Sequence, residues 1–442
     1  MRAAAIALLA LLVAGCVSPT STQAPGDAPS AAEGAWPLPI PDPMGHDHDH
    51  SDPSLHGVAW GFAQVAHHPV AGNAGHSAGA HALAYEAGFL FVAAYGGDAD
   101  AEGGVFVFDA KDPAAPKLVG RVKLAGALGG DRSLGATDDG EFAVLGTEAL
   151  TSLGHLSPTP PGIWLIDARD KANPRVAGYA NTGTFGAHSI TIHRIGGKDY
   201  VFVGAASAQN VFEIVRTPLP MLRAVGERPI GHDAVVEDDP LLGAPLLYAA
   251  NGGAGFEVWD VSDPARPQKV AAWNIPDRGD RYYVHHSAVQ FIEGRRIVVV
   301  ESEDWEDYPS PLWVLDATDF EDIQVLANWS NPGGHAAAAL RYSLHNPVFL
   351  GDKLVVAHYH GGVWALDLST AQARADPPVV GVFLPSEPGG KPVKPAGYAI
   401  MSARGRSFAV TDTPMTMDVK VVGDLVYAAD LHTGIYALRP TW

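Results

Sequence analysis

Cysteine is nearly absent: Cys16 is the only one in 442 residues, which leaves no second thiol for a disulfide and none in the rest of the chain for a thiol nucleophile. Basic residues are scarce as well. Lysine and arginine total 29 against 49 acidic residues, and the net charge of −20 would repel the polyanionic surface of nucleic acid or anionic lipid. No 3.6-residue apolar periodicity is long enough for a helical solenoid. A Ser-His-Asp order, a phosphate-binding glycine loop and a paired-thiol motif are all lacking, and Glu301 and Glu303 have no spacing that would mark a glycosidase pair.

What is present begins with a single Arg2 followed by an apolar run from Ala3 to Ala14, too short to span a bilayer as a permanent helix. It ends Val13-Ala14-Gly15-Cys16 and predicts a secretion signal over residues 1–16. The small residues before Cys16 resemble the lipobox of bacterial-type lipoproteins. That resemblance implies lipidation of Cys16, where two acyl chains suffice for stable anchoring. The expected location is extracytoplasmic, in the periplasm or at the cell surface, with the lipid as the only membrane contact. Residues 17–55 are rich in Pro, Ser, Ala, Gly and Asp and predict a disordered tether. Within it His46, His48 and His50 alternate with Asp, either a weak Zn or Cu binder or a plain solvated tract.

Residues 56–442 repeat one unit of roughly 45–70 residues. An apolar alternating run closes in Asp, a turn with Asp or Pro follows, and a second strand succeeds it. VFVFDAKDPAAPKLVG from Val105, IWLIDARDKANPRVAG from Ile163 and FEVWDVSDPARPQKVA from Phe256 show the plan most clearly. Weaker copies start at Val211, Leu312, Val363 and Ile435, which makes seven. Upstream of each lie two more strand-like runs joined by a short turn, as in Asn346–His358 and Asp418–Asp430. Each unit is therefore four strands, a to d, with VFVFD as c. The expected fold is all-β, a seven-bladed propeller of four-stranded antiparallel blades. The last unit stops after strand c, and Gly57–His68 is predicted to supply its missing strand and close the ring.

The units resemble the LVIVD-repeat family. The match is carried by His232-Asp233-Ala234-Val235-Val236, Tyr248-Ala249-Ala250-Asn251 and Trp259-Asp260-Val261-Ser262-Asp263-Pro264. The third unit departs most, with Ile214-Val215 where the Asp belongs. The resemblance implies the propeller fold and little about activity.

In such a blade strand a begins on the rim where strand b ends, so side chains from both converge around the axis. His81, His188, His232, His286 and His345 are read at equivalent starts of strand a, with Arg132 in blade two and Met417 or Asp418 in blade seven. Glu301 and His358, with His360, stand at ends of strand b. Imidazoles and carboxylates around one axis suit a transition metal, and Cu or Zn held by three or four of His81, His188, His232, His286, His345, His358 and Glu301 is the expected cofactor. Strict alternation along the strand sets His285 on the other side from His286, in a structural role. Three long connections also fall on this rim: Thr147–Gly162 with His155, Glu301–Pro311 and Pro385–Met417. Two functions remain open. One is a metal-binding propeller with or without oxidoreductase activity; the other is a surface or adhesion module that recognises a protein or glycan on the axial rim without metal. A monomer that binds no nucleic acid is expected in either case.

Overall fold

The computed structural model describes residues 59–70, 79–95, 103–124, 132–149, 159–206, 209–227, 231–275, 283–303, 310–331, 343–385, 399–401, 407–409 and 414–442. The signal sequence with Cys16, the tether with His46, His48 and His50, and His155 lie outside the described residues.

Seven antiparallel sheets of four or five strands follow one another along the chain, with a two-stranded sheet, Ala399–Met401 and Ser407–Ala409, between the sixth and the seventh. Blade 1 comprises Gly79–Glu86, Phe89–Tyr95, Gly104–Asp109 and Lys117–Lys123, and blade 2 Leu134–Ala136, Phe142–Thr147, Gly162–Asp167 and Arg175–Ala180. Blade 3 is Ser189–Ile195, Lys198–Gly204, Val211–Val215 and Met221–Gly226; blade 4 is Asp233–Asp239, Ala244–Ala250, Phe256–Asp260 and Gln268–Trp273. Blade 5 is Val284–Ile292, Arg295–Ser302, Pro311–Asp316 and Gln324–Ser330, and blade 6 is His345–Leu350, Lys353–Ala357, Val363–Asp367 and Val379–Phe383. Blade 7 is Thr416–Val422, Leu425–Asp430 and Gly434–Pro440, completed by Phe62–His68. Each strand a lies against the strand a of the next blade, and that of blade 7 against that of blade 1, so the ring is closed around an axis lined by these seven strands.

The sequence pattern explains the blade. Strands b and c sit between neighbouring blades and are covered on both faces. Val105, Phe106, Val107 and Phe108 are therefore all buried, and the run reads as continuously apolar. Strand d forms the outer edge and carries charge, as in Lys117–Lys123, which guards an otherwise open edge. Apolar side chains gather into seven clusters among the described residues, one between each adjacent pair of blades.

The Asp that closes strand c has a definite job. Asp109, Asp167, Asp260, Asp316 and Asp367 each accept the backbone N–H two residues on, at 2.8–3.3 Å, and so fix the turn into strand d. A second Asp three residues later repeats the device in four blades: Asp112, Asp170, Asp263 and Asp319. In blade 3, where Val215 replaces the first Asp, Arg216 follows and pairs outward with Asp199, Asp139 and Glu141.

Closure goes one step beyond the sequence expectation. Phe62–His68 pairs with Gly434–Pro440, and immediately before it Ala59 and Trp60 pair with Phe383 and Val382 of blade 6. One N-terminal segment thus clasps two blades. Gly61 makes the step with φ of 69°, and a Cβ there would stand 2.0 Å from the Val380 carbonyl oxygen.

Candidate metal centre on the propeller axis

Strand register aligns the starts of the seven inner strands. A first tier reads His81, Arg132, His188, His232, His285, His345 and Met417; the next residues form a second tier, Ala82, Ser133, Ser189, Asp233, His286, Asn346 and Asp418. The register corrects the expectation for blade 5. Val284 lies opposite Ser302 and His286 opposite Glu301, so His285 is the extra residue of a β-bulge. Strict alternation fails at a bulge, and His285 takes the place that alternation gave to His286. Bulges at the same point in blades 1 and 7 carry His81 and Met417.

Four first-tier imidazoles from consecutive blades stand side by side. Ring centroids are 4.2 Å apart for His188 and His232, 4.4 Å for His232 and His285, and 4.6 Å for His285 and His345. Tyr359 ends the row, 4.9 Å from His345. The residues that hold this row are carboxylates and a carbonyl. His188 Nδ1 lies 2.5 Å from Glu148 Oε1, His285 Nδ1 2.6 Å from Glu301 Oε1, and His345 Nδ1 meets the Met417 carbonyl. The Tyr359 hydroxyl donates to Glu303 Oε1, while Glu303 Oε2 is 3.7 Å from His285 Nε2.

One donor atom each from His232, His285 and Glu303 can be drawn from a region in which all lie within 4.8 Å of one another. A tetrahedral ion with bonds of about 2.0 Å holds its ligands roughly 3.3 Å apart. Side-chain adjustments of an ångström or so would close the set around an ion. A His285 bonded to carboxylate at Nδ1 presents Nε2 as its lone-pair donor toward Glu303, the arrangement by which an outer carboxylate orients a metal-ligating imidazole. Burial pushes the Glu301 carboxyl up, with His285 opposing.

The other expected ligands are placed differently. His81 Nε2 is 3.1 Å from Ser133 Oγ, a contact between neighbouring blades. His286 lies in the second tier, with Nδ1 2.9 Å from Asp233 Oδ2 and Nε2 accepting from Arg132 Nη1 at 2.5 Å. Burial drives its pKa down to about 4, against the pull of Asp233. His358 is enclosed in the b–c turn of blade 6, its ring 6.1 Å from that of Trp364, and burial pushes it down to about 3. Neither His286 nor His358 belongs to the converging trio. Glu301 orients His285 and is not in the trio either. The sequence pattern does not single out Glu303 and Tyr359 as site residues. Glu303 directly follows strand b of blade 5 and Tyr359 stands two residues beyond strand b of blade 6, and their proximity comes from blades 5 and 6 abutting.

No protein-family model and no curated protein matches the sequence. Solved structures of similar shape include the Pseudomonas aeruginosa periplasmic gluconolactonase PpgL, at 14% identity and a TM-score of 0.49, covering 69% of this chain and 86% of that one. BamB from Moraxella catarrhalis follows at 13% identity and 0.44, covering 86% and 97%. Chaetomium thermophilum Raptor stands at 12% and 0.49, covering 88% of this chain and 30% of that one. At such values the likeness concerns shape alone, and the chemistry must be argued from the residues of this chain.

Proposed function

We propose that this chain is an exported, lipid-anchored propeller of LVIVD type that binds one Cu or Zn ion on its axis through His232, His285 and Glu303, with His188 and His345 flanking. The observation that carries the reading is the oriented row of imidazoles. Four histidines from four blades meet ring against ring, and two of them, His188 and His285, are held at Nδ1 by buried or half-buried glutamates, which is costly without a cation to offset it. The donor set of nitrogen and carboxylate suits Zn and Cu better than the hard cations, which prefer oxygen.

The test is elemental analysis of untagged full-length mature protein in which His46, His48 and His50 are replaced by Ala. About one Cu or Zn per chain should survive dialysis, should vanish in His285→Ala and Glu303→Gln, and should persist in His358→Ala. Absence of an ion in the parent protein, with no rise in melting temperature on adding Cu or Zn, would sink the reading and favour recognition of a protein or glycan by the same rim.

A further inference from the structure

Arg132 is the one first-tier residue with a permanent positive charge. It starts the inner strand of blade 2, yet its guanidinium bonds His286 of blade 5, on the far side of the axis. The side chain therefore crosses the channel immediately beside the row of imidazoles. Its orientation is fixed by a buried relay, since His286 is itself held against Asp233 of blade 4.

A guanidinium has five N–H donors in a rigid fork. One Arg132 nitrogen is engaged by His286, an imidazole in place of a carboxylate. Among the described residues no carboxylate lies within ion-pair distance of Arg132, although Asp233, Glu237 and Asp418 are in its field, the last two in that of Lys420 as well. The contrast with the half-buried Arg216 and the buried Arg296 is sharp. Each makes a direct carboxylate contact at 2.6 Å. A half-buried cation with no carboxylate of the described residues in contact, its fork oriented across the axis, is what a planar or tetrahedral oxyanion requires.

We propose that Arg132 anchors a binding site for a small oxyanion, a carboxylate or phosphate, on the propeller axis, with His286 and Asp233 as positioning residues. The free edge of the guanidinium takes two anion oxygens as a fork, and the relay holds the fork in place. The site does not depend on the ion proposed above.

Isothermal titration of the full chain, stripped of metal by chelation and dialysis, with oxalate and with inorganic phosphate tests this. Saturable binding of one anion per chain is expected, weakened at least tenfold in Arg132→Gln and to a lesser degree in Arg132→Lys, which keeps the charge but loses the fork. Arg216→Gln, a variant of an outer ion pair, should bind like the parent. Failure of both anions to bind below about 10 mM, or affinity unchanged in Arg132→Gln, overturns the proposal. Should Arg132→Gln not fold, undiminished affinity in Arg132→Lys overturns it equally. Because the protein carries no metal in either titration, a failure here is read separately from an absent ion in the elemental analysis.

Discussion

At the scale of single residues, buried charge decides most of what the axis and the blade interfaces can tolerate. Arg296 and Asp239 are 1% and 0% exposed, joined at 2.6 Å between blades 5 and 4, with Tyr248 donating to the same carboxylate. Removing one partner strands the other, so Arg296→Ala should cost about 3–5 kcal/mol in urea denaturation, whereas an apolar replacement of both is much milder. Glu86 behaves in the opposite sense. Burial pushes its carboxyl up to about 7 from 4.5, with Lys420 opposing. Between those two values the folded chain keeps a proton that the unfolded chain has released, so stability contributed by the protonated acid is lost as pH rises through this window. With solvent screening of a partly exposed group the loss is about 1–2 kcal/mol. Glu86→Gln should flatten that part of the pH–stability curve; an unchanged slope between pH 4.5 and 7 would show that the acid is not responsible.

At the scale of elements, the clasp and the bulges matter most. Gly61 lets one segment serve blades 6 and 7, and Gly61→Ala would force a side chain into the Val380 carbonyl at a φ that non-glycine residues resist. A loss of about 2 kcal/mol or more in thermal or chemical unfolding is expected, and a neutral outcome would mean that the Ala59–Trp60 pairing contributes little. The bulges explain why the fold was legible and the site only partly so. Strand c announces itself by an apolar run and a turn-fixing Asp, and the unmatched final unit announces its partner, Phe62–His68. A bulge leaves no such trace in period-2 alternation. It could have been found by another signal, since His285-His286-Ser287-Ala288 aligns with His232-Asp233-Ala234-Val235 without a gap. Glu303 and Tyr359 are harder, because they lie beyond the ends of strand b in blades 5 and 6 and only the abutment of those blades brings them to each other.

At the scale of the whole molecule, radial symmetry turns sequence distance into proximity: residues 132, 233 and 286 touch, and none is a neighbour in the chain. The proposed lipid anchor is testable at this scale as well. Cys16→Ser should move the protein from the membrane fraction to the soluble extracytoplasmic fraction, and retention in the membrane would exclude the lipid as its attachment. Closure has a further consequence for biogenesis. Phe62–His68 precedes all seven blades in the chain, and its partner Gly434–Pro440 follows the first six, so the seventh sheet cannot assemble until those six have been synthesised. The ring is thus obliged to close late in folding, and its slowest step should be the capture of an early strand by a late one.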